Sequence, residues 1–259
     1  MQPIPASSLT LTGLTLRVQN LERQLAFYRD LLGLKVISSQ GLQTDLAPAG
    51  RHFTLTLLNE PSAPLRPQPT LGLYHFALLL PSRPALAAIF RRLVEARYPH
   101  FQGASDHGVS EAIYLADPEG NGLELYRDRP RADWPFRKGR LAMVSERLNL
   151  EALLSEVPKS GLVAPQTTLG HLHLHVGDLD QAQGFFEQLG MKLTQGDYPG
   201  ARFLAADGYH HHIAINLWAR GPTAPVGSTG LLGYQIVIRG QVSRTLTDPS
   251  GALITVTGH

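Results

Sequence analysis

The sequence predicts an α+β fold of four tandem βαβββ modules, the fourth degenerate and lacking its helix. Three observations predict it: the chain repeats itself, its strand-period and helix-period segments alternate, and Gly/Pro turn signals recur between them. LRVQNLERQLAFYRDLLGLKV at 16–36 matches LHVGDLDQAQGFFEQLGMKL at 174–193. GLYHFALLL at 72–80 matches GLLGYQIVI at 230–238, and DPEGNGLELY at 117–126 matches DPSGALITV at 248–256. The order is therefore A-B-A′-B′, two halves of two related units each.

Each element follows from its residues. In unit one, Leu14, Leu16 and Val18 alternate with polar neighbours, as a half-buried strand does. Asn20 then caps a helix whose Leu21, Leu25, Tyr28 and Leu32 recur at helical spacing, and Gly33 stops it. Short strands follow near 35–39, 42–46 and 53–58. Unit two has a strand at 72–80, a helix from about Pro84, and two strands near 108–115 and 122–127 across the turn at Asp117. Unit three has a strand at 169–176, a helix at 179–189, and strands near 191–196, 201–206 and 211–217. Unit four leaves only about ten residues between its first strand and its DPSG turn, too few for a helix. The domains expected are 9–127 and 167–259, with 128–166 as a long linker holding a short helix near 149–156.

Composition narrows the function. The chain has 259 residues, 43% hydrophobic and 17% charged, which is a globular profile. It has no cysteine, so disulfides, thiolate metal sites and a cysteine nucleophile are excluded. A net charge of +2 without a Lys/Arg block argues against nucleic acid, and no apolar run is long enough to span a membrane. The N-terminal residues MQPIPASSLT carry no basic region followed by an apolar segment, so a cytoplasmic location is expected.

Histidine is the anomaly, with eleven in the chain and six of them in two clusters. Strand alternation puts His171, His173 and His175 on one face, either solvated or lining a polar cavity. In the tract at 210–212, the same alternation pairs His210 with His212 and turns His211 away. His75 lies in an apolar run and Glu124 between two leucines. A buried unpaired carboxylate is costly, so two such residues in one unit favour a shared cation.

These residues resemble the vicinal oxygen chelate (glyoxalase/bleomycin resistance/dioxygenase) superfamily over about residues 9–127 and 167–257. The stretch His107-x5-Ile113-Tyr114-x2-Asp117-Pro118-x-Gly120-x3-Glu124 looks like the ring-cleavage signature of type I extradiol dioxygenases, apart from Ser105 two residues before the histidine. GYHHHIAINLW at 208–218 is similar to the bacterial catechol 2,3-dioxygenase branch. The resemblance implies curved mixed sheets around a central cavity, and Fe(II), with Mn(II) as the alternative, held by His75, His171 and Glu124. It implies His212 as the acid–base group, preferred over His211, with Tyr114 and His107 bonding substrate or oxygen. The substrates implied are a small aromatic diol and O2, the product a muconate-type semialdehyde.

Neither half alone supplies the triad. Unit one has Gly13, and unit four has Gly233 and Thr255, where ligands are expected. Units two and three must therefore pair, within one chain or across a homo-oligomer. Two other readings stay open at this point. A glyoxalase I-like isomerase would need a fourth ligand, and 212–215 offers no carboxylate. A metal-free binding protein of the bleomycin-resistance type would need none of the aligned residues.

Overall fold

The computed structural model describes residues 8–156 and 161–258. Unit one contributes β1 (Leu9–Val18), β2 (Lys35–Gln40), β3 (Gln43–Ala47) and β4 (Thr54–Asn59). Its helix α1 (Leu21–Leu25) is capped by the Asn20 side chain on the Arg23 N–H and passes into a π-helical turn at Ala26–Leu31. Unit two contributes β5 (Gly72–Leu79), α2 (Arg83–Glu95), β6 (Phe101–Asp106), β7 (Ser110–Ala116) and β8 (Gly122–Asp128).

The connection between the halves holds three two-residue strands, β9 (Phe136–Arg137), β10 (Arg140–Leu141) and β11 (Glu146–Arg147), followed by α3 (Leu150–Ser155). Unit three is β12 (Thr168–His175), α4 (Leu179–Gln188), β13 (Lys192–Gln195), β14 (Ala201–Ala205) and β15 (Ile213–Asn216). Unit four is β16 (Gly230–Ile238), β17 (Arg244–Thr247) and β18 (Leu253–Gly258), with no helix between its strands.

Two sequence expectations need correction. Unit two has three strands after its helix, not two. β6 reads FQGASD, too polar to show an apolar period, and it is held by backbone pairing to β7. The tract at 210–212 is a bent connection rather than part of a strand, so alternation does not govern which way its side chains point.

The units pair crosswise within one chain. β5 lies antiparallel to β12, with His75 opposite His173 and Ala77 opposite His171. β1 lies antiparallel to β16, with Thr15 opposite Gly233 and Gly13 opposite Gln235. Each pair, flanked by the remaining strands of its units, forms one curved sheet. A single bridge between β1 and β12 joins the two sheets. One apolar core runs through both, including Leu14, Leu16, Phe76, Leu125, Leu172, Phe186, Ile236 and Ile254. Such contiguous burial is the main favourable term in folding.

The two Asp-Pro turns are built alike. Asp117 accepts the N–H groups of Glu119 and Asn121 and the Tyr28 hydroxyl, and Asp248 accepts those of Ser250 and Ala252 and the Tyr234 hydroxyl. Both carboxylates are buried, and these donors replace their lost water. The repeated motif is thus explained by turn structure, without a role in chemistry.

Candidate metal centre

The site lies where β5, β8 and β12 run side by side. A bulge in β5 opposite His173–Leu174 gives one extra residue, and both Tyr74 and His75 border the same cavity. Glu124 is on β8, which runs parallel to β5 with Ala77 as its partner. His171 is on β12, on the other side of β5. His75 Nε2 and His171 Nε2 each lie 3.1 Å from the same oxygen, Glu124 Oε2. All three residues are buried, and they are the one group of potential ligands among the described residues whose donor atoms converge within 4.8 Å.

Electrostatics suit a cation. Burial raises the Glu124 pKa, but His171 and His75 outweigh it and hold the carboxyl well below its usual range. Burial lowers His171 to about 4 against the pull of Glu124. Glu124 is therefore an ionised carboxylate and His171 a neutral imidazole at neutral pH, the protonation states that metal binding needs. Two nitrogens and one carboxylate oxygen are the donors of the facial triad of non-haem iron sites. The far nitrogen of His171, Nδ1, is buried with no hydrogen-bond partner among the described residues. Packing orients this ring instead, with Tyr126 at 4.9 Å and His211 at 4.1 Å between ring centroids.

His75 and Glu124 border a cavity of about 380 Å³, with His171 packed behind them. Tyr114 and His107 stand on it together. The Val144 carbonyl lies 2.7 Å from His107 Nδ1, which must therefore carry the hydrogen. His107 Nε2 is then an acceptor for the Tyr114 hydroxyl at 2.7 Å. Burial, with Glu124 nearby, pushes the Tyr114 phenol well up, so it stays protonated. His173 packs edge-on against His75, 5.0 Å between ring centroids, but neither it nor His175 adds a donor to the converging group. The Asn216 amide bridges them, donating to His173 Nε2 at 2.8 Å and accepting from His175 Nδ1 at 2.6 Å.

His212 is not brought to this cavity. Its Nδ1 accepts the Ala206 N–H at 3.2 Å, and its ring stacks on Tyr209. His211 borders the cavity in its place, because the bend at 210–212 reverses the strand alternation. Sequence reasoning also missed the far wall, formed by Tyr198, Phe203 and Trp218 of unit three and by Met143, Val144 and Ser145 of the connection. The connection's unusual length was the available signal.

The fold and this site together place the chain in the Glyoxalase/Bleomycin resistance protein/Dioxygenase superfamily, whose profile matches residues 10–125. The chain belongs to that superfamily. It is 40% identical over 232 residues to a catechol-2,3-dioxygenase of Bacillus subtilis (strain 168), covering 86% of this chain and 80% of that protein. Biphenyl-2,3-diol 1,2-dioxygenase 3 of Rhodococcus globerulus is 29% identical over 124 residues, 46% of this chain and 63% of its own. Glyoxalase I from Zea mays shares the fold, with a TM-score of 0.59 at 16% identity over 96% of this chain and 92% of that one.

Proposed function

We propose that this protein is an Fe(II)-dependent extradiol dioxygenase that opens a catechol beside its hydroxyls with O2, giving a muconate-type semialdehyde. The observation that carries the reading is the convergence of His75, His171 and Glu124 on one point at the wall of an accessible cavity. The 40% identity to a catechol-2,3-dioxygenase supports the same activity. A glyoxalase-type site would need a fourth ligand, and the described residues bring three together.

His75, Glu124 and His171 would hold Fe(II), which would supply Lewis-acid and redox chemistry toward a diol and O2; Mn(II) suits the same donors. The chain's own residues supply the rest. His211 borders the cavity and is neutral, since burial and then His171 hold its pKa well below the usual histidine value. It accepts a proton from one substrate hydroxyl and can return it later. Tyr114 gives its one hydrogen to His107 Nε2, so its oxygen is left to accept a hydrogen bond from a substrate hydroxyl. Phe203, Tyr198 and Trp218 give one wall of the cavity an aromatic surface against which the substrate ring can pack.

Anaerobic loading with Fe(II) or Mn(II), followed by catechol and air, tests the proposal. The expected result is a yellow product with one O2 consumed per ring opened. Full metal occupancy without O2 uptake from any catechol would overturn it.

A further inference from the structure

Behind His211 lies a second line of polar groups that the reaction scheme does not use. Asp128, at the end of β8, accepts from His210 Nε2 at 2.8 Å. The other nitrogen of the same ring, His210 Nδ1, is 2.8 Å from His211 Nδ1. The second Asp128 oxygen takes the Tyr209 hydroxyl at 2.9 Å, and that hydroxyl also meets the Tyr126 hydroxyl at 2.8 Å. His210 has no exposed surface, and its ring is packed by Trp134, Tyr209 and Tyr126.

The hydrogens in this row follow from donor and acceptor chemistry. A carboxylate only accepts, so the hydrogen between Asp128 and His210 sits on His210 Nε2. A His210 that holds only this hydrogen presents Nδ1 as an acceptor, and the hydrogen it receives is the one on His211 Nδ1. That leaves His211 Nε2 bare, with no hydrogen-bond partner among the described residues. Reversing the His211 tautomer would set two lone pairs against each other at 2.8 Å, inside a buried cage where an unmade bond is costly.

We infer that Asp128 and His210 are positioning residues that hold His211 in the one tautomer able to take a proton from the substrate. The inference rests on the dioxygenase reading for the identity of that substrate. When His211 Nε2 accepts the catechol proton, its Nδ1–H still donates to His210, whose Nε2–H still donates to Asp128. The new positive charge thus faces a carboxylate through two hydrogen bonds, and no further proton moves. A buried carboxylate orienting a catalytic imidazole is an arrangement with a large known effect on rate.

Two measurements on the full-length chain test this. Proton–nitrogen NMR correlation spectra, taken before metal loading, read the tautomers directly. His211 is expected to carry its hydrogen on Nδ1 and His210 on Nε2, and a wild-type His211 protonated on Nε2 overturns the inference even if no variant folds. In the Fe(II)-loaded enzyme, His210→Phe preserves the packing but not the relay. It should keep its metal and its KM within about 2-fold while losing about 100-fold in kcat, within the range for general acid–base groups.

His210→Gln has an amide N–H for Asp128 and an amide oxygen for His211, so it should regain at least about tenfold of that loss. Wild-type kcat in His210→Phe would reduce His210 to packing and refute the positioning role. An iron-loaded wild type that opens no catechol would instead sink the dioxygenase reading, and the NMR tautomer would still decide for or against the relay.

Discussion

The two curved sheets of this molecule share one design, yet among the described residues one gathers three potential metal ligands at a point and the other does not. At the ligand position on the first strand of unit two stands His75, and its partner on the parallel neighbour β8 is Gly122. At the matching position of unit four stands Gly233, and its partner on β18 is Leu253. The strands approach so closely at this point that only one of the two residues can bear a side chain. A Cβ on Gly122 would press into the Tyr74 carbonyl oxygen, and one on Gly233 would lie 2.5 Å from the Leu253 carbonyl oxygen. The glycine has changed strands between the two sheets. On β8 it makes room for a histidine; on β16 it occupies the histidine's place. Ligand capacity is thus decided by which strand of a tight pair carries the glycine.

The largest expected effect breaks the competent sheet at its charge. Glu124→Ala should lose stoichiometric metal and all turnover while staying folded, because the neutral His171 it faces leaves no buried charge unpaired when the carboxylate goes. Thr255→Ala, at the matching place in the other sheet, should leave metal content unchanged. Elemental analysis of both variants checks the contrast, and full occupancy in Glu124→Ala would refute the assignment of the triad.

Next in size is the acid–base group. His211→Ala should keep its metal and lose roughly 10²–10⁴-fold in kcat, whereas His212→Ala should stay within a few-fold of wild type. Steady-state kinetics on the two variants would expose an inverted assignment at once.

The paired glycines give a sharper, smaller test. Gly122→Ala and Gly233→Ala should each cost on the order of 1–3 kcal/mol of stability by overpacking, measured as matching shifts of the denaturation midpoint. Only Gly122→Ala should also weaken metal binding, by roughly 10–100-fold, because it displaces a ligand's backbone. Equal metal affinities in the two would remove the difference claimed between the sheets.

The smallest effect is on pH dependence. Burial, then His210, lowers His212 from 6.5 to about 4. Between these values the unfolded chain takes up a proton that the folded chain refuses, so stability falls as pH drops from about 6.5 toward 4 and is fully present above that window. Thermal melts of His212→Gln should show a shallower loss across the window than wild type. Only part of the slope should go, since His171, His173 and His211 are lowered as well.

The convergence of His75, Glu124 and His171 was legible in the sequence because each breaks a local rule: a histidine in an apolar run, a carboxylate between leucines, a histidine on every second strand position. Repeat alignment then showed which units had to meet. What escaped was set by backbone departures that side-chain periodicity cannot register. The bulge in β5 brings Tyr74 to the cavity beside His75, and the bend at 210–212 exchanges His211 for His212. β6 was invisible because its pairing is made by backbone amides while its side chains are polar. The cavity wall from Met143 to Ser145 had no motif at all, being placed by the Val144 carbonyl on His107 and by β11 pairing with β6.

The crosswise pairing of units also sets a timetable for synthesis. β5 and β12 are hydrogen-bonded neighbours, but about a hundred residues separate His75 from His171 along the chain. At ribosomal speeds of about 5–20 residues per second, His75 emerges and waits roughly 5–20 s before His171 exists, and Glu124 roughly half as long. Until then the edge of β5 that will receive β12 is an open template for other strands. A nascent chain at that stage has two of three ligands and no enclosed cavity. The point where His75, Glu124 and His171 converge is therefore assembled only once the second half has docked.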